Sequence, residues 1–350
     1  MPTVMHDKLQ TIEARLLQAA GASAKEAAII ACHSVAANLA GHDSHGVIQI
    51  PIYIDRIKRG HIVPGAKFEV VRETPTTLVV DGHWGFGYVV SERVMEMVIE
   101  KAKKQGVAAA TVYHQSHVGR LTDYPLMASA AGLIGMMTAD SGRTAKNVAP
   151  FGGRLNRLGT NPICIAMPSN LEAPLYIDIA TSAVAGGKIS VAVARGQRIP
   201  EGWIIDKDGN PTTDPNDLAR GGAQLALGGS EGHKGYGLSV MVEILSGILT
   251  GLGFGHDPSG KHNDGCFMAA FNVAAFRPLE DFKREVTEFA QYLKATPTAK
   301  GFTEVFYPGE IEYRKTQQKK KEGIFVEDAT WDKLKALAAE YKVAAELGLQ

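Results

Sequence analysis

Two pairs of histidines share one spacing, His42 with His45 and His114 with His117. An imidazole changes charge near neutral pH, so either pair suits proton transfer, and four imidazoles together would also suit a metal. The metal reading lacks its usual partners, because neither an H-E-x-x-H pattern nor cysteines at ligand spacing accompany the pairs, and no metal is expected. The first pair lies in Gly41-His-Asp-Ser-His-Gly-Val-Ile-Gln-Ile-Pro-Ile-Tyr53. Asp43 or Ser44 is suited to cap a helix on which His45, Gln49 and Tyr53 would share one face at a spacing of four. Pro51 should kink that helix, since it removes the bond to the Val47 carbonyl. The plainer alternative is a polar loop before a core helix. The second pair lies in His114-Gln-Ser-His117-Val-Gly119-Arg120, after a β-type run. Strand ends in α/β proteins present catalytic groups, and Gly119 permits a close backbone approach to a ligand. His117 is thus a candidate acid/base, against the alternative of a structural histidine.

Three further segments read as ligand loops. Leu158-Gly-Thr160-Asn-Pro162 precedes a strand, Asp178-Ile-Ala-Thr181-Ser182 ends one and is placed to cap the next helix, and Gly232-His233-Lys234-Gly235-Tyr-Gly237 opens a helix. Free amides at a glycine-rich helix start, with Lys234 beside them, suit a pyrophosphate. An ordinary glycine-rich helix start is the alternative. Pro308-Gly309-Glu310 precedes another helix and says little alone. The G-x-G-x-x-G dinucleotide fingerprint between a strand and a helix is missing, and Gly186-Gly-Lys188 continues with Ile189, so it is no P-loop.

The elements that must carry these groups follow from periodicity. Apolar residues at helical spacing predict helices over 9–17 and 22–39, the start of a helical region. Short β-type runs at 77–81, 108–113, 133–138, 163–167 and 175–179 alternate with helical stretches at 91–104 and 124–131, an α/β pattern with a sheet in the middle of the chain. Residues 203–206 followed by Asp208-Gly209 predict a hairpin, 235–250 a long helix, and 251–265 a glycine-rich surface loop. Helices are expected again over 281–293 and 329–347. The Lys319-Lys-Lys321 run reads as a solvated helix end.

Composition narrows the function. Lys+Arg and Asp+Glu both total 37, so no net charge draws the protein to nucleic acid or an anionic membrane, and a small-molecule substrate is expected. Three widely spaced cysteines make no disulfide framework, and no apolar run approaches the roughly 20 residues of a membrane span, so a cytoplasmic protein is expected.

In series, Asp43-Ser-His-Gly46, Ser116-His-x-Gly119, Ala149-Pro-x-Gly-Gly153, Gly159-Thr-Asn-Pro162, Asp178-x-Ala-Thr-Ser182, Lys234-Gly-Tyr-Gly237 and Pro308-Gly-Glu310 resemble the type-2 malate/L-lactate dehydrogenase family, which includes sulfolactate dehydrogenases. Within it they look most like a bacterial hydroxycarboxylate dehydrogenase. The resemblance implies an α/β, non-Rossmann NAD(P)-binding fold: a large mixed β-sheet over residues 76–274 and a helical domain built from 1–75 with 275–350. It implies a homodimer that uses NAD or NADP to interconvert 2-oxo and 2-hydroxy acids. Reduction of cyclic imine 2-carboxylates is the alternative on the same site, and a non-catalytic binding protein a lesser one. By the same resemblance His45, His117 and Ser44 surround the reacting carbonyl. Gln49, Tyr53 and Thr160 are expected beside the substrate, and Asp178, Thr181, Ser182, His233, Lys234, Gly235, Pro308, Gly309 and Glu310 along the cofactor. One departure stands out. Most of the family has Arg where this chain has Gln49, which would replace a charge-assisted bond of ~1.5–3 kcal/mol with a neutral one of ~0.5–1.5 kcal/mol. Arg120 is expected to supply the missing guanidinium, with Arg143 in reserve.

Overall fold

A computed structural model describes residues 2–140, 146–255 and 261–349. Arg143 lies outside the described residues. A seven-stranded mixed sheet has the order Glu69–Glu73, Thr77–Gly85, Val107–Gln115, Gly265–Asn272, Leu133–Asp140, Ile163–Met167, Leu175–Ile179. Only Thr77–Gly85 and Val107–Gln115 run parallel, joined by the helix Gly87–Gln105. That connection suits the geometry, since parallel neighbours need a crossover whereas antiparallel ones do not. Alternation in Val107–Gln115 buries Ala108, Ala110 and Val112 on one face, where they meet Val94, Val98 and Ala102 of the crossover helix in one core.

The strand Gly265–Asn272 was not predicted, although it occupies the centre of the sheet between Val107–Gln115 and Leu133–Asp140. Its sequence, Gly-Cys-Phe-Met-Ala-Ala-Phe-Asn, is poor in β-branched residues, and pairing on both sides overrides that weak propensity. The expected surface loop over 251–265 therefore ends where a central strand begins.

Both chain ends meet in a second core. Leu9, Ile12, Leu16 and Leu17 of the helix His6–Ala19 pack with Ile30 and Val35 of Ala24–Ala40, and with Ile324, Leu334 and Leu347 from the C-terminal end. Ser23 and Glu26 close a capping box at the start of the second helix. The expected division at residues 75 and 275 departs from this packing in two places. Glu69–Glu73 belongs to the large sheet, and the helix Leu279–Lys294 buries only Ala290, in a small cluster with Ala173 and Tyr307. The hairpin expected near 203–209 is present as Ile204–Ile205 paired antiparallel with Pro211–Thr212. The helix expected over 235–250 begins earlier, as Gly232–Glu243, and continues into the π-helical Ile244–Ile248. The helix expected over 329–347 is broken into Asp328–Glu340 and Ala344–Leu347, with Lys342 between them at φ +59°.

A charged cluster ties the two regions together. His33 of Ala24–Ala40 meets Glu92 at 2.9 Å and Asp123 at 3.3 Å, and Asp123 also accepts from Arg120 at 2.6 and 3.0 Å. Burial opposes protonation of His33, but the hydrogen bonds to Asp123 and Glu92 outweigh it and raise the pKa to about 9. Burial likewise opposes ionisation of Asp123, and Arg120 and His33 outweigh it, holding the carboxyl near 2. The signs fix the pH window. The His33 contribution is complete below its ordinary value of 6.5 and is lost as pH rises through about 9. That of Asp123 is complete above 3.8 and is lost as pH falls towards about 2. The thermal midpoint of the wild type should therefore exceed that of His33→Gln by several degrees near pH 6, with the gap closing towards pH 9. A gap independent of pH would refute the assignment.

Candidate active site

The site begins with an asparagine. Asn38 Oδ1, near the end of Ala24–Ala40, accepts from the Val47 amide at 2.8 Å, while its Nδ2 donates to Asp43 Oδ1 at 2.7 Å. This carboxamide presses on Gly46 so closely that a Cβ there would lie 2.1 Å from Asn38 Oδ1. The chain is thereby folded into two short 3₁₀ turns, Asp43–His45 and Val47–Gln49, before the helix Ile50–Lys58 starts. The single helix expected from Asp43 or Ser44 is thus interrupted at Gly46, so His45, Gln49 and Tyr53 do not share one helical face. Pro51 makes no kink, because it occupies the first turn, where its missing N–H costs nothing.

His45 and His117 nevertheless meet. Their rings stack with centroids 5.5 Å apart and planes 23° from parallel. Ser44 Oγ lies 3.0 Å from His45 Nδ1 and Tyr53 OH lies 2.6 Å from His117 Nδ1. The Gln49 amide donates to the Ser44 carbonyl at 2.7 Å, so it is committed to holding the turn. Tyr88, not singled out from the sequence, places its hydroxyl 3.2 Å from that of Tyr53 and 3.4 Å from the His45 carbonyl. Its ring also explains Gly119, where a Cβ would come within 2.2 Å of it. The close approach seen at Gly119 is to Tyr88.

Asp264 was also missed. Its carboxylate accepts from the Val118 amide at 3.0 Å and pairs with His262 at 2.8 Å, and the His262 ring stands edge-on to His117 at 5.7 Å. A polar Asn263-Asp264 pair just before a sheet strand was the available signal. Burial alone would keep the Asp264 carboxyl protonated, but His262, with His117 and the Val118 amide, holds it far below the ordinary range. Burial acts the other way on the imidazoles. It lowers His117 to about 3, against the pull of Asp264, and lowers His45 as well. Both rings are therefore neutral at pH 7, the state in which an imidazole can donate a hydrogen bond to a reacting carbonyl without first losing a charge.

Arg120, expected to grip a substrate carboxylate, has Nε and Nη2 closed on Asp123 and its side chain is only 11% exposed. That edge of the guanidinium is therefore occupied by Asp123. His114 turns away from His117. It pairs with Asp81 at 3.1 Å and stacks on Trp84 at 4.9 Å. Among the described residues no group of three or more His, Cys, Asp or Glu is placed to hold a metal ion.

The residues expected along a cofactor divide into two sets. Asp178 lines a cavity of about 270 Å³ with His42, Tyr176, Pro308 and Gly309, and accepts from the Thr122 amide and hydroxyl at 2.9 and 2.6 Å. His233 and Lys234 are more than half exposed at the start of Gly232–Glu243, a helix with no side-chain cap, although Glu231 lies 3.1 Å from Lys234. Open first-turn amides flanked by His and Lys fit a pyrophosphate. The second set, which shares Gly309 with the first, makes close contacts within the fold. Thr181 donates to the Thr160 and Asn161 carbonyls, and Ser182 to that of Val184, so neither caps the next helix, which begins at Gly186. Thr160 is engaged here through its carbonyl. Gly235 is buried, where a Cβ would strike the Leu227 carbonyl at 2.0 Å. Glu310 is closed by Lys294 and Arg314 at 2.6 and 2.7 Å, and Gly309, at φ +94°, lets the chain pass the Pro174 carbonyl.

A family model described as malate/L-lactate dehydrogenase matches residues 4–335. The chain belongs to the malate/L-lactate dehydrogenase family. It is 38% identical to a malate/(S)-sulfolactate dehydrogenase of Methanothermus fervidus over 94% of this chain and 95% of that one. It is 34% identical to hydroxycarboxylate dehydrogenase B of Escherichia coli over 89% and 86%. Among solved structures, malate dehydrogenase from Entamoeba histolytica superimposes with a TM-score of 0.93 at 35% identity over 98% of both chains. The sheet and helices described above are thus the architecture of this dehydrogenase family.

The environment of the dehydrogenase's His117 is open to direct measurement. Its ring proton resonances should show no titration between pH 5 and 8 by NMR, and Tyr53→Phe should alter their shifts. A titration midpoint near 6.5 would overturn the account of its burial.

Proposed function

We propose that this protein is an NAD(P)-dependent 2-hydroxyacid dehydrogenase that reversibly reduces small 2-oxo acids, with His45 and His117 handling the proton. The observation that carries this reading is the stacked, neutral His45–His117 pair, held by Ser44 and Tyr53 where the helical region meets the sheet. A bound nicotinamide would supply or accept the hydride. The chain's own groups answer the charge that develops on the substrate oxygen. With Tyr88 donating to the His45 carbonyl, and Tyr53 to His117 Nδ1, the His117 proton resides on Nε2 and is available to that oxygen. Such a positioned donor contributes ~10²–10⁴-fold. Asp264 works against burial at both rings, raising their basicity without overcoming the loss of water.

A second reading, reduction of cyclic imine 2-carboxylates, is favoured by likeness to a Δ1-piperideine-2-carboxylate reductase structure from Pseudomonas syringae, at 28% identity and a TM-score of 0.84 over 97% of this chain. An imine accepts a hydride beside a carboxylate as a ketone does, and it requires the same proton donor. Three free thiols and the absence, among the described residues, of a helix long and apolar enough to cross a membrane support a cytoplasmic setting. A homodimer is supported by Met241, Ile244, Ile248 and Leu249, each at least 40% exposed along one continuous helical segment. An apolar stripe of this kind marks an association surface.

Two experiments test these readings. Absorbance of NADH and NADPH should fall with pyruvate, phenylpyruvate or oxaloacetate, and in His45→Ala and His117→Ala kcat should drop ~10²–10⁴-fold with cofactor affinity retained. Turnover of piperideine-2-carboxylate alone would select the second reading, and turnover of neither substrate class would reject both. Sedimentation velocity should find a dimer in the wild type and a monomer in Ile244→Glu/Ile248→Glu; a monomeric wild type would contradict the dimer.

A further inference from the structure

A carboxylate substrate needs a cation, and the two positions expected beside it are engaged elsewhere. Gln49 is neutral and tied to the Ser44 carbonyl, and the Arg120 fork is filled by Asp123. Arg56 differs from both. It lies one helical turn beyond Tyr53 on Ile50–Lys58, so the two residues share a face of that helix. Its Nη1 reaches Ser116 Oγ, at 3.5 Å, on the residue next to His117. Among the described residues no carboxylate lies within 4.0 Å of it, and that long contact is its only side-chain hydrogen bond. Its guanidinium has five N–H donors, so most are unused.

A half-buried, permanently charged group without a counterion is unfavourable unless something arrives to pair with it. Burial accordingly lowers the pKa of Arg56, and the charges of Asp264, Tyr53 and Asp55 offset this only in part. Asp264 itself is already closed on His262 and the Val118 amide. The cation beside the proposed proton donor therefore has most of its donors available to an anion.

We infer that Arg56 binds the carboxylate of the substrate, taking the part that Gln49 is unable to play, so that the carbonyl next to that carboxylate is presented to His117. This inference rests on the 2-hydroxyacid dehydrogenase reading and adds to it the residue that selects for an α-carboxylate. A flat guanidinium accepts both oxygens of a planar carboxylate, whereas an uncharged amide in the same place gains much less from it.

The test compares each 2-oxo acid with its own amide, pyruvate with pyruvamide and phenylpyruvate with phenylpyruvamide, in the full-length protein. Arg56→Gln should lower kcat/KM for the acid ~10–100-fold and leave that for the amide within about threefold. Arg56→Lys should recover part of the loss, because it restores charge without the fork. Arg120→Gln should lower the thermal midpoint and leave the acid-to-amide ratio as it was. Calorimetric binding of oxamate, with reduced cofactor present, reads the same contact without turnover. Wild type should bind oxamate and Arg56→Gln should not, while retaining its affinity for NADH or NADPH. If the wild type reduces 2-oxo acids and Arg56→Gln keeps both the acid-to-amide ratio and oxamate affinity, the assignment of Arg56 is wrong and the dehydrogenase reading stands. If the wild type neither reduces a 2-oxo acid nor binds oxamate, the dehydrogenase reading fails and takes the assignment with it.

Discussion

The contact between Tyr53 OH and His117 Nδ1, at 2.6 Å, joins residues 64 positions apart and fixes how the helical region meets the sheet. Tyr53 is fully buried and has few polar partners, so its hydroxyl must find one or leave an unsatisfied group inside the protein. The helix carrying Tyr53 starts where Asn38 and Gly46 let it start, and His117 leaves the sheet where the strand Val107–Gln115 ends. A displacement of either region by an ångström would break the bond and separate the two imidazoles. The geometry of the site therefore depends on packing between two cores, the first of which contributes Tyr53 and Tyr88.

Charge is arranged around this junction in closed sets. Asp123 balances Arg120 and His33, Asp264 balances His262, and Asp178 is satisfied by the Thr122 amide and hydroxyl. Each carboxylate is buried or half-buried, and each would be costly without its partner. With these ions paired off locally and Arg56 left without a carboxylate partner among the described residues, burial is the largest influence on the two central histidines and keeps them neutral. Neutral donors in a partly dry setting match a reaction whose charge appears only as hydride moves.

Glycines are used here for proximity more than for turning. Gly46 admits the Asn38 carboxamide, Gly119 the Tyr88 ring, and Gly87 the backbone of Ser116 and His117, where a Cβ would lie within 2.2 Å of the Ser116 carbonyl. Several motifs that look like ligand loops on paper are thus places where the protein approaches itself.

What the sequence determined by itself was which residue types were present and most of the regular elements. Imidazoles beside hydroxyls in Ser44-His45 and Ser116-His117, the five β-type runs at 77–179 and the helices of the first forty residues are local signals, set by side-chain chemistry and by periods of two and 3.6. The order of the family's motifs was legible for the same reason. Only the tertiary structure decided which of these groups face one another. It made Gly265–Asn272 a central strand despite its weak propensity and broke the helix at Gly46 against Asn38. It closed Arg120 on Asp123 and left Arg56 open beside Ser116. These outcomes depend on contacts between segments far apart in the chain, whose energies come from burial and pairing that no local window of sequence contains.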